Sequence, residues 1–521
     1  MRRLAGALCA VALLAGCMPE ASRSTSAPEP SEPPASRSAE PVPPTNEPQP
    51  EPGESPQQQD ENGCPTGGGG SLSTLVSYLD AAPSPAWKDR PVVRLCFDVP
   101  ADRRVVTGHE TVSFKPDRQT CELVFRAWPN KPDSAVNGTK LEVKTVVVAG
   151  EPVTPRVEAA GAPKGVPGTL IRVPLASCLK AGQPLTADLD FTLTLGPDGD
   201  ERASYSSEDK TAWLATAFPL LAWERDRGWA TEPAVNLFGE MTTSEEFDLE
   251  SLLVIAPSSD EVLGTGRSEG AVAGPRAGTT AHSFSADAVR DVAVTVGELT
   301  VVEREVGDLT VHVGAPAAGS EVSPDVWADE TVATIRSLVS ELGDFPYDDL
   351  WVTIAPDVSS GIELAGAIQF GDIDPREYKA LVPHEVAHMW FYGLVGNDQA
   401  RDPWLDEAFA EYAETLVNGQ ESSASSFVAP SAVRNQVGRP MAWYAAQPDS
   451  ADLYAAGVYR QGGAMLHKAR AAAGPEVFDR LLREYIETYA HTIATPTSVA
   501  RAFASAPAAL AVMREYGALP R

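Results

Sequence analysis

His384 and His388 stand four residues apart with Glu385 between them, and nineteen residues after His388 comes Glu407. The rest of the chain has to be built to hold this set. Residues four apart share a helix face, so both imidazoles can point at one ion while Glu385 sits at its edge. Two histidines and one carboxylate form the ligand set that leaves zinc a fourth, open position for water, as in hydrolytic rather than structural sites. His384, His388 and Glu407 are therefore the expected ligands of one zinc ion per chain. Glu385 is the expected general base, taking a proton from the attacking water and passing it to the leaving amine.

At 521 residues the chain is long enough for two or three domains. Its formal net charge of −31 argues against a nucleic-acid partner, which needs concentrated Lys and Arg. A negative cleft would instead favour a protonated substrate amine. Arg2-Arg3 and the apolar run from Leu4 to Ala15 are too short for a membrane span and predict an export signal over 1–17. Leu14-Ala15-Gly16-Cys17 resembles a bacterial lipobox, which would put a lipid on Cys17 and hold the protein to the outer face of the bacterial cell membrane. A plain secretory signal, giving a secreted protein, is the alternative.

Residues 18–72 are rich in Pro, Ser, Glu and Gln and cannot bury a core, so they predict a disordered linker. Once Cys9 goes with the signal and Cys17 to the lipid, Cys64, Cys96, Cys121 and Cys178 remain. They allow three disulfide connectivities, and none forms a CxxC metal pair. Over 73–305, runs such as Leu185 to Leu193 alternate apolar and polar residues between turn signals, which predicts an antiparallel β domain. Its aromatic stretch from Phe218 to Trp229 reads as a core or domain-interface cluster, with a substrate wall as the alternative. From 306 to 521 helical periodicity prevails, interrupted by the strand Leu350 to Ala355 and a glycine-broken stretch from Gly361 to Phe370. The fold class is therefore α+β and multidomain.

Taken together, the motifs resemble the aminopeptidase N family of gluzincin metallopeptidases, which includes the leukotriene hydrolase type. The family spacing of HExxH, eighteen residues and Glu is met without a gap, and Trp404 to Ala410 is similar to its WLNEGFA string. The resemblance implies a saddle-like N-terminal β domain, then a thermolysin-like, mainly helical catalytic domain, without the long C-terminal helical domain of many members. Gly361-Ile362-Glu363-Leu364 is similar to the family's GAMEN segment, which implies that Glu363 binds the free α-amino group of a peptide. Gly457 to Gly462 is similar to the YxKG segment, which implies that Tyr459 donates to the oxyanion, with Tyr454 as a possible neighbour. GIELA lacks the Asn or Tyr of the family strings, and Gln461 replaces the usual lysine.

Zinc-dependent removal of N-terminal residues from peptides is the resulting expectation. The alternatives are a zinc endopeptidase without N-terminal specificity, and a catalytically silent binding protein of the same fold. Glu414, seven residues after Glu407, is a candidate acceptor for a ligand imidazole, with Glu411 as its rival. His109, His282, His312, His467 and His491 have no ligand spacing and read as ordinary surface or core residues.

Overall fold

The computed structural model describes residues 63–64, 87–197, 199–239, 241–242 and 244–520. The export signal, Cys17 and nearly all of the linker expected over 1–72 lie outside them. Among the described residues no helix is long and apolar enough to cross a membrane.

Up to residue 297 the described chain is almost entirely strand and turn. In Leu185–Thr194 the predicted alternation is realised, with Ala187, Leu189, Phe191 and Leu193 buried between less buried neighbours. This strand lies in an eight-stranded sheet beside Val105–Phe114, which pairs in turn with Val92–Asp98. Pairing in this sheet is antiparallel except where Val92–Asp98 runs parallel to Phe247–Pro257. Of the three connectivities the structure forms Cys64–Cys96 and Cys121–Cys178, the second bridging the neighbouring strands Thr120–Arg126 and Leu170–Leu179. Phe114, Trp223 and Trp229 pack ring against ring at 4.7 to 5.7 Å, so the aromatic stretch contributes to the core.

The hairpin Leu299–Val306 and Leu309–Pro316 leads into a second architecture. Its strands continue a five-stranded mixed sheet through Asp349–Ala355 and Ala367–Gly371 to Gly361–Leu364 at the edge. Helix Pro324–Leu342 turns Trp327, Ala328, Thr331, Val332, Ile335 and Leu338 inward, the three- and four-residue spacing of one helix face. Further helices, including Leu381–Ala387, Glu407–Val417 and Gln461–Ala473, complete a predominantly helical half. Among the described residues the last helix is Pro507–Glu515, and no long C-terminal helical domain is present.

Arg290 and Asp291 join the two halves. The buried Arg290 guanidinium donates to the carbonyls of Tyr392 (3.0 Å), Ser244 (3.1 Å) and Thr492 (3.0 Å) and pairs with Glu246 at 3.4 Å. Gly396 leaves room for it, since a Cβ there would come within 2.4 Å of the guanidinium carbon. Asp291 accepts the backbone N–H of Ala365 at 2.9 Å and the Tyr392 hydroxyl. One dipeptide of the β half thus fixes both the turn after the HEVAH helix and the end of the GIELA strand.

Glu110 works against stability. It lies fully buried between its strand partners Leu95 and Leu189, and neither oxygen has a hydrogen-bond partner among the described residues. Burial holds its carboxyl well above the ordinary value, whereas the unfolded chain releases that proton above about pH 4.3. Stability therefore falls as pH rises from there towards the folded-state value. Glu110→Met should raise the thermal midpoint at pH 7, with a gain on the order of 1–3 kcal/mol, and the gain should shrink at pH 4. Melting curves at both pH values check this, and a loss of stability at pH 7 would contradict it.

Candidate metal centre

Helix Leu381–Ala387 carries His384, and its C-cap is His388. Pro383 falls in its first turn, where a backbone N–H has no intrahelical partner to lose. His388 is the C-cap and keeps helical angles (φ −64, ψ −14), so it stays one turn below His384 on the same face. Glu407 opens the next helix, and its N–H is accepted by the Asp406 side chain at 2.9 Å.

The two helices bring three donor groups together. His384 Nε2 lies 3.3 Å, and His388 Nε2 3.5 Å, from one and the same oxygen, Glu407 Oε2. The other ring nitrogens are engaged elsewhere. His388 Nδ1 lies 3.0 Å from the Phe391 carbonyl and donates to it, and His384 Nδ1 lies 3.3 Å from Glu414 Oε2. These partners orient the rings with Nε2 towards the centre. Of the two acids considered for this role, Glu414 makes the contact, while Glu411 lies within 4.8 Å of the same group.

The electrostatics suit a cation. Burial lowers both imidazoles, but hydrogen bonds to Glu407, and for His384 also to Glu414, outweigh it and leave both above their ordinary value. Burial raises the Glu407 carboxyl, yet the same two imidazoles bring it down to about 2. The carboxylates around the two rings favour positive charge at this centre. Two imidazole nitrogens and a carboxylate oxygen converging within 4.8 Å fit a zinc ion in ligand type and number.

Glu385 is pushed up to about 7 by burial, with His384 and His388 pulling the other way. Its carboxylate rests on the backbone of Gly361, where a Cβ would come within 2.6 Å of Glu385 Cγ and Oε1. Glu363 lies two residues further along the same edge strand. It is buried, and its carboxylate lies within 4.8 Å of Glu385 and His388 donor atoms. Tyr459, on the π-helical turn Ala455–Arg460, donates its hydroxyl to Glu407 Oε1 at 2.6 Å and stacks on His384 at 5.7 Å. His384, Glu385, His388, Glu407, Glu363 and Tyr459 thus come together at one centre.

Tyr454 packs edge-on against Tyr459 at 5.5 Å, and Phe238 of the β half touches both rings. Phe238 and Gln399, whose amide reaches Glu363, had no sequence signal, because their contacts bridge distant segments.

Comparison with known proteins agrees with this geometry. Residues 370–516 match the Peptidase family M1 domain. The resemblance to the aminopeptidase N family, read from the motifs, holds. Aminopeptidase 2 of Candida albicans is 23% identical over 329 residues, 60% of this chain and 33% of that protein. Aminopeptidase N of Streptomyces lividans is 39% identical over 79 residues, 13% of this chain and 9% of its own length. The chain thus spans a third or less of these curated relatives. In fold, it is similar to an M1 zinc metallopeptidase from Deinococcus radiodurans, with a TM-score of 0.57 at 20% identity, covering 84% of this chain and 96% of that one. A mutant of that metallopeptidase bound to a Tyr-Ser-Ala substrate has a TM-score of 0.58 at 19% identity, covering 82% of this chain and 94% of that one.

Gly361→Ala should displace the Glu385 carboxylate while leaving His384, His388 and Glu407 in place. With Glu385 as the expected general base, peptide hydrolysis should fall about 10-fold or more, since small misplacements of such a group are costly. Steady-state kinetics with metal analysis checks this, and an unchanged kcat would show that Glu385 is not constrained by residue 361.

Proposed function

We propose that this chain is a zinc-dependent aminopeptidase that removes N-terminal residues from peptides. The observation that carries the reading is the meeting of His384 Nε2 and His388 Nε2 at Glu407 Oε2, with the Glu385 and Glu363 carboxylates beside them. The relatives named as aminopeptidases, and the fold neighbour described with a peptide substrate, support peptides as the substrate class.

Bound at this centre, zinc would supply a water acidified to near neutrality and a Lewis-acid contact for the scissile carbonyl. The chain's own residues do the rest. Glu385 accepts the proton of the attacking water and delivers it to the leaving amine. Tyr459 turns its O–H from Glu407 to the oxygen that gains charge, which favours the transition state over the ground state.

Glu363 pairs with the substrate ammonium, so that only the first peptide bond reaches Glu385. The outer edge of Gly361–Leu364 has no strand neighbour among the described residues, and an extended substrate can hydrogen-bond along it. In this reading the chain works outside the cytoplasm, tethered by a lipid on Cys17.

Purified protein should hold one zinc per chain and cleave an unblocked aminoacyl anilide. A chelator should abolish cleavage, and added zinc should restore it. Glu385→Gln should lower kcat by roughly 10²–10⁴, and Tyr459→Phe by roughly 10²–10³. Equal cleavage of the N-acetylated substrate would make the enzyme an endopeptidase. Zinc binding without any cleavage would favour a silent binding protein.

A further inference from the structure

Gln399 lies in the loop between the HEVAH helix and the Glu407 helix, in a position without helical or strand periodicity. Its side chain is 1% exposed, and its Nε2 donates to Glu363 Oε1 at 3.1 Å. We propose that Gln399 is a positioning residue for the substrate's α-ammonium group, holding the Glu363 carboxylate in the orientation that receives it. This inference rests on the aminopeptidase reading above and extends it to a residue that touches no reacting atom.

Three observations support it. Glu363 is 3% exposed and shares its surroundings with Glu385, both carboxylates belonging to one group whose oxygens lie within 4.8 Å. A buried carboxylate is costly unless it is hydrogen-bonded, so Glu363 needs a fixed donor to stay turned towards the centre. The carboxylate only accepts, so the amide must present its N–H end, and the amide oxygen Oε1 has no partner among the described residues. The bond to Glu363, together with the pull of the Asp406 carboxylate on the same amide, sets the orientation of Gln399.

The choice of residue type also fits. A lysine or arginine at 399 would neutralise Glu363 and compete with the substrate ammonium. A neutral amide satisfies one acceptor site and leaves the negative charge available. The next residue of the edge strand, Leu364, is apolar, so the amide beside Glu363 comes from another element.

The loop bearing Gln399 is itself anchored. Arg401, two residues on, pairs with Asp398 of the loop and with Glu224 (2.7 Å) and Glu232 (2.8 Å) of the β half. The β half thereby fixes the position from which Gln399 reaches Glu363.

The test compares kcat and KM of Gln399→Met, Gln399→Asn, Glu363→Ala and the Gln399→Met/Glu363→Ala double variant. Each is assayed on an aminoacyl anilide and its N-acetylated counterpart, with zinc content and melting temperature measured alongside. Gln399→Met should raise KM for the free-amine substrate about 10-fold, change kcat less than about 3-fold and leave the blocked substrate unaffected. Gln399→Asn, which keeps an amide on a shorter arm, should show a smaller rise. In the Glu363→Ala background Gln399→Met should change KM less than about 2-fold, as expected of two residues acting as one unit.

Normal KM in Gln399→Met with a raised KM in Glu363→Ala would overturn the proposal and leave the aminopeptidase reading standing. An equal loss on both substrates, or an undiminished effect in the Glu363→Ala background, would also overturn it. If the unmodified protein cut both substrates equally well, the reading and the proposal would fall together. If Gln399→Met failed to fold, Gln399→Asn would decide: a normal KM overturns the proposal, and a raised KM confined to the free-amine substrate upholds it.

Discussion

One oxygen of Glu407, reached by His384 Nε2 and His388 Nε2 at 3.3 and 3.5 Å, is the contact on which the rest of the centre depends. Three ionisable groups at this range, two buried and His384 nearly so, are unfavourable unless they neutralise one another or share a cation. The surrounding groups are arranged to keep them there: the Phe391 carbonyl and Glu414 orient the rings, and Asp406 caps the helix that presents Glu407. Tyr459 takes the remaining oxygen of Glu407 and stacks on His384, which places its phenol against two of the three groups at once.

The β half is part of this construction. Arg290 and Asp291 hold the turn after the HEVAH helix and the end of the GIELA strand. Glu224 and Glu232 hold Arg401 and with it the loop of Gln399. Phe238 packs on Tyr454 and Tyr459. The β half therefore touches the turn after the HEVAH helix, the end of the GIELA strand, the loop of Gln399 and the turn that carries Tyr459.

How much of this was legible beforehand follows from sequence distance. His384, His388 and Glu385 could be placed because one helical period fixes their common face, whereas spacing left Glu414 and Glu411 as rivals and only the contact with His384 chose Glu414. The alternation of Leu185–Thr194 announced a half-buried strand. Glu363 and Tyr459 could be assigned only through family strings, since a short edge strand and a π-helical turn deliver them. The parallel pairing of Val92–Asp98 with Phe247–Pro257, the two disulfides, and the contacts of Arg290, Phe238 and Gln399 join segments far apart in the chain. No local pattern encodes such partners, and only the assembled fold shows them.

Anomalous diffraction at the zinc edge, from crystals of the zinc-loaded protein, tests the central assignment most directly. The account requires one peak per chain, about 2.0–2.2 Å from His384 Nε2, His388 Nε2 and the Glu407 carboxylate. A peak among Glu363, Glu385 and His388, whose donor atoms also lie within 4.8 Å of one another, or no peak at all, would contradict it.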